Sequence, residues 1–165
     1  MNRSIQIILT LLTLAFCVIF IRGIFVSPED RIRQQLNALE SLVSYDEEEG
    51  NLGAVSKVKR LGALFAEDVV VEVTIPGMGS QRVTGRQQVQ QVALSARSRA
   101  RGLVASLVDI VIEVSEDETR ATVEATGRAK VEGEPNSAIQ DFMIHFAKAE
   151  DGWLITRVLS VDALR

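Results

Sequence analysis

The sequence predicts an α+β domain: three helices in its N-terminal half pack on a strongly curved, mostly antiparallel sheet of about six strands, preceded by one transmembrane helix. Three observations lead there. Apolar residues recur at helical spacing in three early segments. The later chain alternates apolar and polar residues over four long runs. An almost unbroken apolar stretch opens the chain.

The opening stretch runs from Ile5 to Ile21, interrupted only by Gln6, Thr10 and Thr13, and Gly23-Ile24-Phe25-Val26 extends it past Arg22. As a helix, residues 5–26 measure about 33 Å, against a hydrocarbon core of about 30 Å. Arg22 lies about one turn from the end, where a long side chain snorkels to the headgroups. A cleaved signal peptide fits poorly, since the run is long and Phe25-Val26-Ser27-Pro28 offers no small-residue cut site. Leu14-Ala15-Phe16-Cys17 has the outline of a lipidation box, but Phe16 is bulky and the chain stays apolar beyond Cys17. The reading is therefore an uncleaved anchor, residues 1–27, carrying a domain of residues 28–165. A short leading tail of this kind puts the N-terminus in the cytoplasm and the domain outside the plasma (inner) membrane.

Charge and cysteine content exclude several classes. Of 18 basic residues only Arg3 and Arg22 precede Ser27, and all 22 acids follow it, so the domain carries a net charge of −6. Nucleic acid is excluded as a partner, because neutralising phosphates supplies most of that affinity. Cys17 is the single cysteine and His145 the single histidine, so neither a disulfide within the chain nor a multi-histidine or multi-cysteine metal site is expected. No cofactor motif is present.

Along the domain, Ser27-Pro28-Glu29-Asp30 reads as a helix start, with a capping serine, proline at the first position and acids in the first turn. Ile32, Leu36, Leu39 and Val43 continue it to about Ser44. Asp46-Glu47-Glu48-Glu49-Gly50-Asn51 breaks the pattern as a solvated loop. Ala54, Val55, Val58, Leu61, Leu64 and Phe65 mark a second helix, and Val69 to Ile75 a β-branched strand. After the turn at Pro76-Gly77 comes a short strand, Gln81-Arg82-Val83. Thr84 then reads as the cap of a third helix, about Gly85 to Arg97, burying Val89, Val92, Ala93 and Ala96. Two long strands follow, about Leu103–Val114 and Thr119–Val131. In the second, Ala121, Val123, Ala125, Gly127, Ala129 and Val131 share the inner face. The last two, Ser137–Lys148 and Trp153–Val161, meet at Ala149-Glu150-Asp151-Gly152, a strong hairpin signal.

Three stretches carry a family likeness. They are Leu64-Phe65-Ala66-Glu67-Asp68-Val69-Val70-Val71 at the helix-to-strand junction, Val83-Thr84-Gly85-Arg86 entering the third helix, and Asp151-Gly152-Trp153-Leu154-Ile155 opening the last strand. With this element order, residues 29–163 resemble the cone-shaped nuclear transport factor 2-like superfamily, which includes the SnoaL-like proteins. That resemblance implies a cone, or α+β barrel, hosting isomerases, dehydratases, epoxide hydrolases, dimerisation modules or binding-only domains. It also implies that an enzyme would carry its acid or base on the concave face of the sheet. An N-terminal span before such a domain has architectural parallels in bitopic scaffold subunits of secretion and transport complexes.

The polar residues then have to be placed by strand phase. With Phe142, Ile144 and Phe146 inward, the concave face is apolar, no catalytic residue is expected, and Val123, Ala125, Phe142, Phe146 and Trp153 would line whatever pocket remains. The opposite phase brings in Asp141 and His145 with Arg157 nearby, a possible base with its orienting partner, at the cost of exposing three apolar side chains. Tyr45 reads as helix-end packing, and Arg97, Arg99 and Arg101 as a solvated helix C-terminus, with anionic headgroups or an acidic partner as the alternative. Val111, Met143, His145 and Ala147 form a candidate interface on the outer face, for a homodimer or a membrane-complex partner. The expectation is a non-catalytic assembly domain at the membrane; the alternative is a tethered isomerase, lyase or hydrolase, or a binder of a small apolar ligand.

A fragment of residues 28–165 should express as a soluble, folded domain, read by its circular dichroism spectrum. Aggregation or a coil spectrum would refute the division at Ser27.

Overall fold

A computed structural model of the chain describes residues 26–46, 50–75 and 79–161. The predicted span lies outside these residues except for Val26. Helix α1 (Pro28–Val43) starts as the sequence indicates: Ser27 is the N-cap, its Oγ accepting from the Asp30 amide at 3.1 Å. Helix α2 is Asn51–Ala63 and helix α3 Arg86–Arg99. The strands are β1 (Phe65–Ile75), β2 (Gly79–Thr84), β3 (Leu103–Val114), β4 (Arg120–Val131), β5 (Ser137–Ala149) and β6 (Gly152–Val161). They form one sheet in the order β2-β1-β6-β5-β4-β3, so the terminal hairpin is central. All neighbours are antiparallel except β1 and β6, which run parallel.

Register breaks between Phe65 and Val70, Val108 and Val111, and His145 and Phe146 bend the sheet, as bulges do. The β3 break holds Asp109 at φ 53°, a left-handed conformation that aspartate tolerates better than most residues. The helices fold onto the inner face. Ile32 and Leu36 of α1 and Leu61 of α2 join Val69, Val123, Ile144, Phe146, Trp153 and Ile155 in a single core. The end of α1 also covers part of the exposed edge of β3. Tyr45 and Leu103 exchange backbone hydrogen bonds of 2.9 and 2.8 Å. Ser44 Oγ accepts from the Ala105 amide at 3.0 Å, and the Glu40 carboxylate accepts from the Leu107 amide. Three alternate donors of an edge strand are thereby occupied, which blunts a surface otherwise open to pairing.

Several expectations are corrected. Thr84 does not cap α3: it ends β2, and its amide donates to Gln88 Oε1 at 2.8 Å. Gly85 is the N-cap, at φ 89°, a turn between strand and helix that a side chain at that position would strain. Val92 and Ala96 stand exposed rather than buried, because α3 lies at the margin of the core and buries no residue fully. Strand β1 begins at Phe65, four residues before the β-branched run, because Leu64 and Phe65 already pair with β6. Arg97 does not serve its own helix end. It donates to the carbonyl of Leu42, in the last turn of α1, which has no basic residue of its own.

The β3–β4 turn is held by Asp117, whose Oδ1 accepts from Ser115 Oγ at 2.6 Å and from the Thr119 amide at 3.2 Å. The Ser115 bond, then those to Thr119, lower its pKa from 3.8 to about 2. A depressed carboxylate pKa stabilises the fold above the unfolded value, and this contribution is lost as pH falls through the folded one. An NMR titration should therefore find the Asp117 midpoint near 2, rising toward 3.8 in Ser115→Ala. An unchanged midpoint would remove the hydroxyl as the cause.

Candidate functional site

The concave face of the sheet is where an acid or base would meet a substrate in a domain of this shape. Strand β5 stands in the phase that turns Ile144 and Phe146 into the core, with Phe142 half-buried beside them. Across from them on β4 lie Val123, Ala121 and Ala125, by the register Val123 to Ile144, Ala121 to Phe146 and Ala125 to Phe142. Gly127 leaves room for the Phe142 ring: a Cβ there would stand 2.6 Å from Phe142 Cε2. Trp153 and Ile155 close the face from β6, 2% and 0% exposed. Among the described residues no polar or charged residue is buried.

Of the residues named as pocket lining, four are buried and Phe142 is half-buried. Val123, Ala125, Phe146 and Trp153 are buried core, and Phe142 fills the space over Gly127. Two surface depressions lie elsewhere. One, of about 390 Å³, borders Val26, Arg31, Gln35, Asp151 and Trp153. Its Gln35 Oε1 is buried without a hydrogen-bond partner. The other, of about 760 Å³, opens between the start of α2 and the end of α3, with Tyr45, Leu94, Arg97, Arg99 and Arg101 around it. Tyr45 packs there as a helix-end residue, its hydroxyl donating to the Ala96 carbonyl at 3.2 Å and the Arg97 guanidinium 4.9 Å from its ring centre.

Asp141, His145 and Arg157 all stand on the outer face. Each has a partner there. Asp141 Oδ1 accepts from Thr126 Oγ1 at 2.7 Å, His145 Nδ1 lies 3.2 Å from Thr122 Oγ1, and Arg157 Nη2 donates to Glu72 Oε2 at 3.2 Å. Glu72 also holds Arg82, at 3.0 Å. His145 and Arg157 are cross-strand neighbours, whereas Asp141 pairs with Val161 further along. The three do not assemble around a concave site.

The outer face has its own order. One row crosses all six strands: Arg82, Glu72, Leu159, Met143, Glu124 and Val111. The next holds Val70, Arg157, His145, Thr122 and Glu113. Of the four interface candidates, Val111 is exposed and Met143, His145 and Ala147 are half-buried. Sequence reasoning missed Leu159, Ile139 and Val161, which share this face, and the Arg157–Glu72–Arg82 chain that borders it. Alternation marks their side of the strand, but only the paired register brings them together.

With fold and faces described, the family is clear. The SnoaL-like domain profile matches residues 56–158, and the chain belongs to that family. Known structures agree on the architecture. An NTF2-like protein with a cystatin-like fold from Novosphingobium aromaticivorans superposes with a TM-score of 0.63 at 15% identity, over 86% of either chain. A protein assigned as a scytalone dehydratase from the same organism gives 0.55 at 20% identity, over 88% of this chain and 86% of its own. Yeast BRE5, described as UBP3-associated, gives 0.62 at 16% identity, over 82% of this chain and 96% of its own. At such identities the likeness is one of fold. A search of curated proteins finds no match.

Because the Phe142 ring occupies the place of a Gly127 side chain, Gly127→Ala should cost about 1–3 kcal/mol in urea unfolding. In a Phe142→Ala background that cost should vanish. Equal costs in the two backgrounds would show that the ring does not fill the cone at this point.

Proposed function

We propose that this chain is a single-pass membrane protein whose SnoaL-like domain serves assembly rather than catalysis, joining a second copy or a membrane-complex partner through the outer face of its sheet. One observation carries the reading: the core of the concave face is apolar, and no polar or charged residue is buried among the described residues. Proton transfer requires an ionisable side chain beside the substrate in a sheltered site, its pKa set by that environment. Ala121, Val123, Ala125, Ile144, Phe146, Trp153 and Ile155 occupy those positions instead.

The outer face supports the assembly side of the proposal. Val111 and Ile139 are 53% and 65% exposed, beside half-buried Met143 and Leu159, with Glu124, Arg128 and Arg120 between and around them. Leu159 and Met143 form an apolar pair in the middle of the row with Glu72 and Glu124 on either side, a mixture that suits a protein contact. Anchoring rests on the length and apolarity of residues 5–26, since no helix among the described residues is long and apolar enough to cross a membrane. The reading puts the domain on the extracytoplasmic side of the inner membrane. The relatives' descriptions, one a dehydratase by assignment and one an associated protein, span both kinds of function and do not alter this balance.

Met143→Asp, which puts a charge in the middle of the row, should raise the dissociation constant of the dimer at least about 30-fold. Sedimentation equilibrium of the full chain in density-matched detergent reads this, with circular dichroism confirming the fold. A wild-type chain that is monomeric, and pulls no partner from its native membrane, would end the proposal.

A further inference from the structure

Acidic residues are absent from two of the three helices. In a chain with net charge −4, segments 50–66 and 85–108 contain no aspartate or glutamate, while Lys57, Lys59, Arg60, Arg86, Arg97, Arg99 and Arg101 all fall within them. The fold brings the two segments together. Helices α2 and α3 pack where Gly62 meets the Gln90 side chain, and the first turn of α2 borders the last turn of α3 across the 760 Å³ depression. Arg97, Arg99 and Arg101 stand around that opening with Ser95 and Ser98, and Asp46 is the carboxylate among its described lining.

Three of these cations, Lys57, Arg86 and Arg97, have partners. Arg97 reaches the Leu42 carbonyl and the Tyr45 ring, and Arg86 donates to the Phe65 carbonyl at 2.8 Å. Lys59, Arg60, Arg99 and Arg101 are exposed and make no ion pair with a described carboxylate. Exposed apolar side chains stand among them. Leu52 is 89% and Val55 56% exposed on the first turns of α2, and Leu94, in the wall of the depression, is 43% exposed. Solvent-facing Leu and Val on two helices that carry cations and no acids suit neither a purely aqueous face nor a purely polar partner, although Asp46 borders the depression and Glu47, Glu48 and Glu49 precede α2 in the chain.

We propose that the α2–α3 face is a second membrane contact, which docks the domain on anionic lipid headgroups. Arg99, Arg101, Lys59 and Arg60 meet the phosphates, and Leu52, Val55 and Leu94 enter the boundary between headgroups and acyl chains. The charge is complementary to an anionic leaflet, and apolar side chains beside cations are what an interfacial contact needs. An acidic protein patch would answer the arginines but would leave Leu52 uncovered. Helix α1 runs about 24 Å from Val26 toward the depression. Both contacts can therefore be made at once only if α1 lies along the bilayer plane. That constraint would hold the outer sheet face at a defined angle to the membrane. The orientation rests on the anchor proposed above; the headgroup contact itself does not.

The test uses the full chain with Cys17→Ser and Ser98→Cys, labelled with acrylodan at residue 98. It is mixed with vesicles of phosphatidylcholine, alone or with phosphatidylglycerol. Flotation with phosphatidylcholine vesicles reads the anchor; failure there removes the orientation and leaves the headgroup contact standing. Docking of the basic face should give a blue shift, and quenching by doxyl-labelled lipid, only when phosphatidylglycerol is present, and high salt should reverse both. Arg99→Gln and Arg101→Gln should each lower the docked-to-undocked ratio about fivefold. Equal emission in both vesicle types, or a shift unaffected by these substitutions, would overturn the proposal. So would a shift produced by inorganic phosphate or by poly-glutamate and not by phosphatidylglycerol, which would identify a soluble anion or an acidic protein as the occupant.

Discussion

The contact that the domain depends on is that between the concave face of its central strands and helix α1. Phe146, Ile144, Trp153 and Ile155 from β5 and β6, with Val123 from β4, meet Ile32 and Leu36, and each is at most 2% exposed. Burying one such side chain contributes about 1.5–3 kcal/mol, so these seven residues outweigh any surface pairing in the chain. On the same face, the Phe142 ring stands over Gly127, where a Cβ would meet it at 2.6 Å.

The surfaces outside this core differ in kind. The outer sheet face mixes both signs of charge around apolar side chains, with Glu72 bridging Arg82 and Arg157. Helices α2 and α3 carry cations and no acids. Part of the exposed edge of β3 is occupied by Glu40, Ser44 and Tyr45.

How much of this could be read in advance depended on whether the signal was local. Ser27 with Pro28 marked the first helix because a cap and a restricted φ act within one turn. The alternation from Ala121 to Val131, and that of Phe142, Ile144 and Phe146, set which side of each strand is buried, since the wrong phase would expose three large apolar side chains together. Thr84 was misread because capping propensity is shared by strand-end residues, and the geometry that mattered was the positive φ of Gly85. Val92 and Ala96 were assigned to a buried face because helical spacing shows which residues share a face, not how much of that face a neighbour covers.

By itself, then, the chain's order of residues determined the elements, the inward phase of the long strands, the family likeness, and the apolar opening segment. These follow from periodicity, capping and length, all of which act over a few residues. Only the tertiary structure decided that Met143 lies in one row with Val111, Leu159 and Glu72, that Arg97 serves the end of α1, and that two acid-free helices share one surface. Those juxtapositions join residues tens of positions apart. They are set by strand register and helix packing, which depend on the whole core and leave no mark in any single stretch of sequence.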